Sequence, residues 1–401
     1  MEHIFAVAAV WLSLAVLSSI LAYHLRISIA LVEICVGVVT AAIASSLGML
    51  DALGNNEEWI RFVASSGAIL LTFLAGAELE PTVMRKKLKE VTVVGIVGFF
   101  APFLGCSALA YFGLHWSLKA SLLCGVALST TSMAVVYAVM LETGLNKTEF
   151  GKGLLGSCFI NDLGTVIALG LIFSPFTLKT LIFVVVTGVV LFVLPKLSHF
   201  LTRVYGHRTA AIRTKWILLV LFGLSVLALW SGSEAVLPAY LVGMVLAEFA
   251  GSDIFWVQRL RTLTVGFLTP FYFIRAGSFV SIPALMTAPI VFFVLLGGKV
   301  LSKIFGLLPV IGLFRKQQAE KWYYTLLMST GLTFGTISAL FGLTHGIVTQ
   351  EQYSHLVAVV IGSAVIPTLV AGIFFLPRHL LPDPESQLEI SLQENELKDE
   401  G

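Results

Sequence analysis

The feature that most constrains this chain is a near-continuous succession of long apolar runs with short polar connections between them. Thirteen such segments can be marked, at about 4–23, 29–50, 62–79, 91–113, 120–141, 153–173, 179–195, 216–231, 235–251, 263–281, 287–308, 323–343 and 354–376. A helix needs ~20 apolar residues to cross the hydrocarbon of a bilayer. Inside a bilayer only helices and closed barrels satisfy their own backbone hydrogen bonds. The predicted fold class is therefore an all-α polytopic membrane protein with about 13 transmembrane helices. Composition agrees: 57% of the residues are hydrophobic and 12% are charged, against roughly 25% charged in soluble domains. That leaves too little polar surface for a soluble fold. A formal net charge of +2 gives no reason to expect nucleic acid as a partner. The four cysteines, Cys35, Cys106, Cys124 and Cys158, all fall inside apolar runs and read as small buried hydrophobes. The first run has no basic region before it and no small-residue cleavage site after it, as expected of a retained helix.

The basic residues test the count. If the N-terminus is outside and every segment crosses, nineteen of the 25 Lys and Arg residues fall on the inside. Only Arg61, Lys119 and Lys179 fall on the outside, and Arg275, Lys299 and Lys303 lie within or at the end of segments. This bias obeys the positive-inside rule, and one helix more or fewer would destroy it. The reading places residues 1–376 in one transmembrane domain and residues 377–401 in a short acidic cytoplasmic tail without apolar periodicity, predicted to be disordered. The location expected is the plasma membrane, multi-pass, with the C-terminus cytoplasmic.

Ionisable groups at membrane depth are costly and usually functional. Asp162 is the sharpest case, near the middle of the sixth segment and preceded by Asn161. It is either a structural partner of a basic residue or a carboxylate that binds a cation or a proton, but not both at once. As a bare charge it is expensive in low dielectric, and holding either ion relieves that cost. Glu33 and Glu248 fall near cytoplasmic ends and Lys303 near a segment end, where structural roles are as natural. Lys299 follows Gly297 and Gly298, too deep to snorkel easily, and calls for a charge partner or a polar cavity. Arg275 carries a permanent charge and is expected to anchor a carboxylate, with Glu78 a possible partner.

Two segments are interrupted by polar residues. The fifth carries Ser129, Thr130, Thr131 and Ser132 at its centre; the twelfth carries Ser329, Thr330, Gly331, Thr333, Gly335 and Thr336. Such hydroxyls are either interhelical glue or the mark of a broken helix whose freed carbonyls and hydroxyls hold an ion. The two segments lie seven apart, so they run in opposite directions. Paired broken helices in opposite orientation are the sign of an inverted-repeat transporter with a midplane site. Phe73-Leu74-Ala75-Gly76-Ala77-Glu78 in the third segment is echoed by Phe273-Ile274-Arg275-Ala276-Gly277-Ser278 in the tenth, again seven apart.

At these residues the chain resembles the monovalent cation–proton antiporters, in the Kef/NapA-like branch. The matching runs are Phe73 to Leu79, Ala127 to Ser132, Asn161-Asp162, Pro270 to Phe273 and Gly298-Lys299, spread over most of the membrane region. The resemblance implies inverted repeats with two crossing interrupted helices, and a core domain (helices around 62–173 and 263–376) beside a dimerisation domain. It also implies alternating access by movement of the core. It makes Asp162 the ion- and proton-binding carboxylate, with a monovalent cation as its metal. Asn161, Thr130, Thr131, Ser132 and Ser157 surround it, and Gly331, Thr333, Gly335 and Thr336 form the second interruption. Lys299, Arg275 and Glu78 become supporting charges. Lys299 matches a lysine that pairs with the first acid of a doublet in electrogenic relatives; here that position is Asn161, which cannot form the pair. One titratable group in the doublet implies electroneutral exchange. The resemblance further implies a homodimer, no cofactor beyond the transported Na⁺ or K⁺ and H⁺, and regulation, if any, by a separate cytoplasmic subunit.

The expectation is thus a secondary antiporter and not an enzyme; no His-Glu-x-x-His pair occurs. The alternatives are a potassium efflux pathway of channel type, which would move no protons, and an ion-coupled solute transporter on the same fold. The absence of a carbonyl-filter signature weighs against the first.

Overall fold

The computed structural model describes residues 1–25, 28–49, 53–77, 87–145, 148–173, 177–205, 211–233, 235–251 and 254–381. Glu78 and the acidic segment 383–401 lie outside the described residues. Helix occupies each of the thirteen apolar segments. In order these are α1 (Glu2–Leu25), α2 (Ile29–Ser46), α3 (Glu58–Ala77), α4 (Leu88–Ala108), α5 (Leu118–Ser129), α6 (Met133–Glu142), α7 (Glu149–Phe173), α8 (Leu178–Tyr205) and α9 (Ile212–Ser231). They continue with α10 (Val236–Val245), α11 (Ala247–Gly251), α12 (Ile254–Leu263), α13 (Thr269–Ser278), α14 (Ile282–Thr287), α15 (Pro289–Phe314), α16 (Gln318–Leu327), α17 (Thr333–Thr344) and α18 (Gln350–Phe374). Among the described residues, nine helices are long and apolar enough to cross a membrane. The other four segments are each assembled from shorter pieces: α5 with α6, α10 with α11, α12 with α13 through a π-turn at Thr264–Leu268, and α16 with α17.

The helices group into two bundles. In one, α4 packs on α5, α7 and α15, and α18 covers α15, α16 and α17. In the other, α2 packs on α13 and α1, α3 on α10 and α13, and α9 on α8 and α10. Thus α3 and α13, although they fall within 62–173 and 263–376, pack with α2 and α10 and not around Asp162.

The second bundle is held by backbone contact. A Cβ on Gly37 of α2 would strike the carbonyl of Ile274 in α13, and one on Gly277 of α13 would strike that of Ile34 in α2. The same arrangement joins α3 to α10: Gly76 faces the carbonyl of Tyr240, and Gly243 faces that of Phe73. In a membrane, where burial from water no longer drives helices together, close backbone approach at small residues supplies the packing. The two crossings are related as an inverted repeat requires. Segments two and ten form one and segments nine and three the other, and a shift of seven turns each pair into its counterpart. The Ala-Gly steps Ala75-Gly76 and Ala276-Gly277, one place out of register in the echo, supply a glycine to each crossing.

The first bundle is tied by ion pairs at one end. Arg315, after α15, reaches Glu90 of α4 at 2.7 Å and lies over the ring of Phe150 in α7. Lys87 pairs with Glu149 at 3.5 Å.

Candidate ion-binding site

Both interruptions expected from the sequence are breaks in helix. Between α5 and α6, residues 130–132 leave the helix, and Thr130 is extended at φ −61° and ψ 151°. The hydroxyls explain why the chain tolerates this at depth. A helix end leaves its last carbonyls without partners. Here Ser129 Oγ donates to the Val126 carbonyl at 2.8 Å and Thr130 Oγ1 to that of Ala127 at 3.0 Å. Ser132 Oγ then accepts from the Val135 N–H and caps α6. In the twelfth segment Ser329 Oγ donates to the Thr325 carbonyl and Thr330 Oγ1 to that of Leu327, each at 2.8 Å.

This second break spans Met328–Leu332, earlier in the chain than the residues expected to form it. Gly331 lies in it, but Thr333, Gly335 and Thr336 are already helical in α17. The hydroxyls of Ser329 and Thr330 end α16 and set the position. Gly335 serves the crossing differently: a Cβ there would approach the Ala127 carbonyl at 3.0 Å and Thr130 Oγ1 at 3.1 Å. Thr336 Oγ1 donates within its own helix, to Leu332.

The breaks touch each other. Thr131 Oγ1 donates to the Met328 carbonyl at 2.8 Å, and the Ser132 N–H points to Thr330 Oγ1 at 3.4 Å. Two helix C-termini, from α5 and α16, and two N-termini, from α6 and α17, therefore meet at one place, each bringing a partial charge.

α7 passes beside this crossing and brings in the acidic group. Asn161 Nδ2 donates to the Ser129 carbonyl at 3.2 Å, at the end of α5. Asp162 is 2% exposed, and its Oδ1 has no hydrogen-bond partner; Asn161 Oδ1 is also unpartnered. Among the described residues Asp162 forms no ion pair. Leaving a buried carboxylate oxygen unsatisfied is expensive, and an ion at that oxygen removes the cost. The bland reading, a carboxylate locked to a basic neighbour, does not describe this geometry.

The cations differ from expectation. Lys303 was placed near the end of its segment, but α15 runs on to Phe314, so Lys303 lies in mid-helix and is fully buried. Its Nζ donates to Thr131 Oγ1 at 3.0 Å, at the first break. Lys299 is also fully buried, but its Nζ donates to Ser363 Oγ of α18 at 3.0 Å and lies where a side chain on Gly331 would stand. The signal for Lys303 was present in the sequence, since positions i and i+4 share a helix face.

Three further expected residues are engaged elsewhere or not described. Ser157 Oγ is hydrogen-bonded to the Tyr324 hydroxyl at 2.7 Å, which also donates to the Gly153 carbonyl, tying α7 to α16. Arg275 donates from Nε to the Asn55 carbonyl at 2.8 Å and lies 4.8 Å over the Phe279 ring, away from the crossing. Glu78, its expected partner, lies outside the described residues. The cysteines are free, and all but the half-buried Cys35 are fully buried.

Comparison with known proteins bears on the family and the fold. The family model described as "Sodium/hydrogen exchanger, transmembrane" matches residues 12–376. The chain is 25% identical over 337 residues to the probable Na(+)/H(+) antiporter 3 of Methanocaldococcus jannaschii, covering 79% of this chain and 84% of that one. It is 24% identical over 352 residues to the Na(+)/H(+) antiporter NhaS4 of Synechocystis, covering 81% and 84%. Against the putative Na(+)/H(+) antiporter YjbQ of Bacillus subtilis it is 27% identical over 399 residues, covering 91% of this chain and 61% of that one. The solved structure of the sodium proton antiporter MjNhaP1 from M. jannaschii at pH 8 superposes with a TM-score of 0.68 at 16% identity, covering 94% of this chain and 98% of the other.

Proposed function

Because the chain belongs to the sodium/hydrogen exchanger family, a family of transporters and not of enzymes, we propose that it exchanges a monovalent cation for protons with Asp162 as the shared binding group. One observation carries this reading: a carboxylate buried at the meeting of two broken helices with an oxygen that no protein group satisfies. Thr130, Thr131, Ser132 and the carbonyls freed at the breaks supply the neutral oxygens a hard cation prefers. Asn161 holds the carboxylate's helix against α5. Proton and cation compete for one site, so binding one expels the other.

Either ion neutralises the carboxylate, and a neutral site crosses the barrier more cheaply than a bare charge. Empty transit is thereby suppressed. With Asn161 beside it, one carboxylate trades one proton for one Na⁺ or K⁺, so exchange is electroneutral. The bundle holding Asp162 moves against the glycine-packed bundle. Residues 1–376 form the exchanger domain, with the N-terminus outside the plasma membrane and the segment 377–401 in the cytoplasm. The protein works as a homodimer.

The test is reconstituted exchange with Na⁺, K⁺ and Li⁺ supplied separately, with and without an ionophore to clamp voltage. The expected result is cation-driven proton movement insensitive to voltage, with an apparent cation KM that rises on acidification. A cation flux without proton movement would overturn the proposal.

A further inference from the structure

Two tyrosines join the bundles directly. Tyr240 stands on α10 in the glycine-packed bundle and is fully buried. Its backbone is pinned, since its carbonyl lies against Gly76 of α3. Its hydroxyl crosses to the other bundle and donates to the Phe159 carbonyl at 3.0 Å, on α7 one turn before Asp162. Its ring stacks on Phe159 with centroids 5.4 Å apart and meets Phe334 of α17 edge-on at 5.7 Å.

Tyr353 makes the reciprocal bond. It is fully buried on α18, in the Asp162 bundle, and its hydroxyl donates to the Ala276 carbonyl of α13 at 2.6 Å. Two bonds adjoin it at the same face: the Ser281 N–H donates to Ser354 Oγ at 2.8 Å, and Gln350 Nε2 donates to the Phe279 carbonyl at 3.3 Å. That face also carries Asn55, which holds Arg275. By the distribution of basic residues it is the outer one.

We propose that Tyr240 and Tyr353 are positioning residues for exchange: their two hydrogen bonds hold the Asp162 bundle in the one position in which the contacts around Tyr353 close the outer face. Both bonds end on backbone carbonyls of the opposing bundle, so neither survives a slide of one bundle past the other. The proposal rests on the alternating-access reading given above.

Tyr240→Phe and Tyr353→Phe keep the rings and remove only the bonds. Loss of one net hydrogen bond raises the fraction open to the outside about fivefold. In reconstituted protein the apparent cation KM measured from the outer face is expected to fall by about that factor in each variant, with little change from the inner face. Unchanged KM values on both faces in both variants would overturn the proposal. So would equal shifts on the two faces, which would make the tyrosines part of ion binding. A second readout needs no transport: hydrogen–deuterium exchange of segments 276–282 and 350–354 in detergent is expected to quicken in Tyr353→Phe. If the wild-type protein exchanges no cation for protons, the function falls, while unchanged hydrogen–deuterium exchange sinks the latch whatever the transport result.

Discussion

In the bundle built on α2, α3, α10 and α13, glycines bring backbones into direct contact and the two crossings repeat each other. In the bundle around Asp162, helices stop short, hydroxyls close their ends, and two lysines and a carboxylate are buried without an ion pair between them among the described residues. The first arrangement has one packing minimum, because backbone against backbone leaves no side chain to rearrange. The second spends its polar groups on contacts that an incoming ion can replace. One membrane-embedded chain thus divides rigidity and chemistry between two sets of helices that touch mainly through α10 on α7 and α14 on α18.

The largest effect expected is from Asp162→Asn, which keeps the side-chain shape and removes the charge. Exchange should fall to the liposome background while the protein still purifies as a folded species. Residual exchange at the wild-type rate would remove the chemical half of the contrast.

Gly277→Val or Gly243→Val attacks the rigid half. The new side chain has only backbone to push against, so a loss of about 1–3 kcal/mol of stability is expected. A marked drop in thermal unfolding temperature in detergent checks this. A Gly37→Val variant as stable as wild type would show the crossing to be more compliant than its geometry states.

The two lysines sharpen the comparison within the Asp162 bundle. Lys303→Gln removes a buried positive charge at the first break and loosens Thr131. The apparent cation KM is expected to fall about tenfold, since a like charge no longer opposes the ion. Lys299→Gln, whose ammonium is held by Ser363, is expected to shift KM far less. Equal shifts would restore Lys299 to the role implied by the family resemblance. The smallest effect expected is from Ser157→Ala: loss of the bond to Tyr324 costs about 1 kcal/mol of stability and leaves cation affinity unchanged. A weakened affinity would return Ser157 to the ion's surroundings.

Much of this was legible because membrane depth makes polar residues conspicuous. Asp162 stood out as an acid in an apolar run, and the hydroxyl clusters at 129–132 and 329–336 announced broken helices. Periodicity could not say which hydroxyls end a helix and which begin the next, so Thr333, Gly335 and Thr336 were assigned to a break that lies at Met328–Leu332. Nor could it show that Ser157, though one to two turns from Asp162, faces Tyr324. Lys303 was obscured because the segment was ended near 308, whereas α15 continues through Pro309 and further apolar residues to Phe314.

The sequence by itself determined the all-helical membrane fold, the pairing of the two interruptions and the identity of the buried acid. Those follow from the cost of exposing backbone and charge to hydrocarbon, a cost that acts locally on each segment. Only the tertiary structure decided which lysine bonds Thr131 at the break, which glycines weld the rigid bundle and which tyrosines reach across to the other. Those depend on how helices distant in sequence are rotated against one another, and no single segment carries that information.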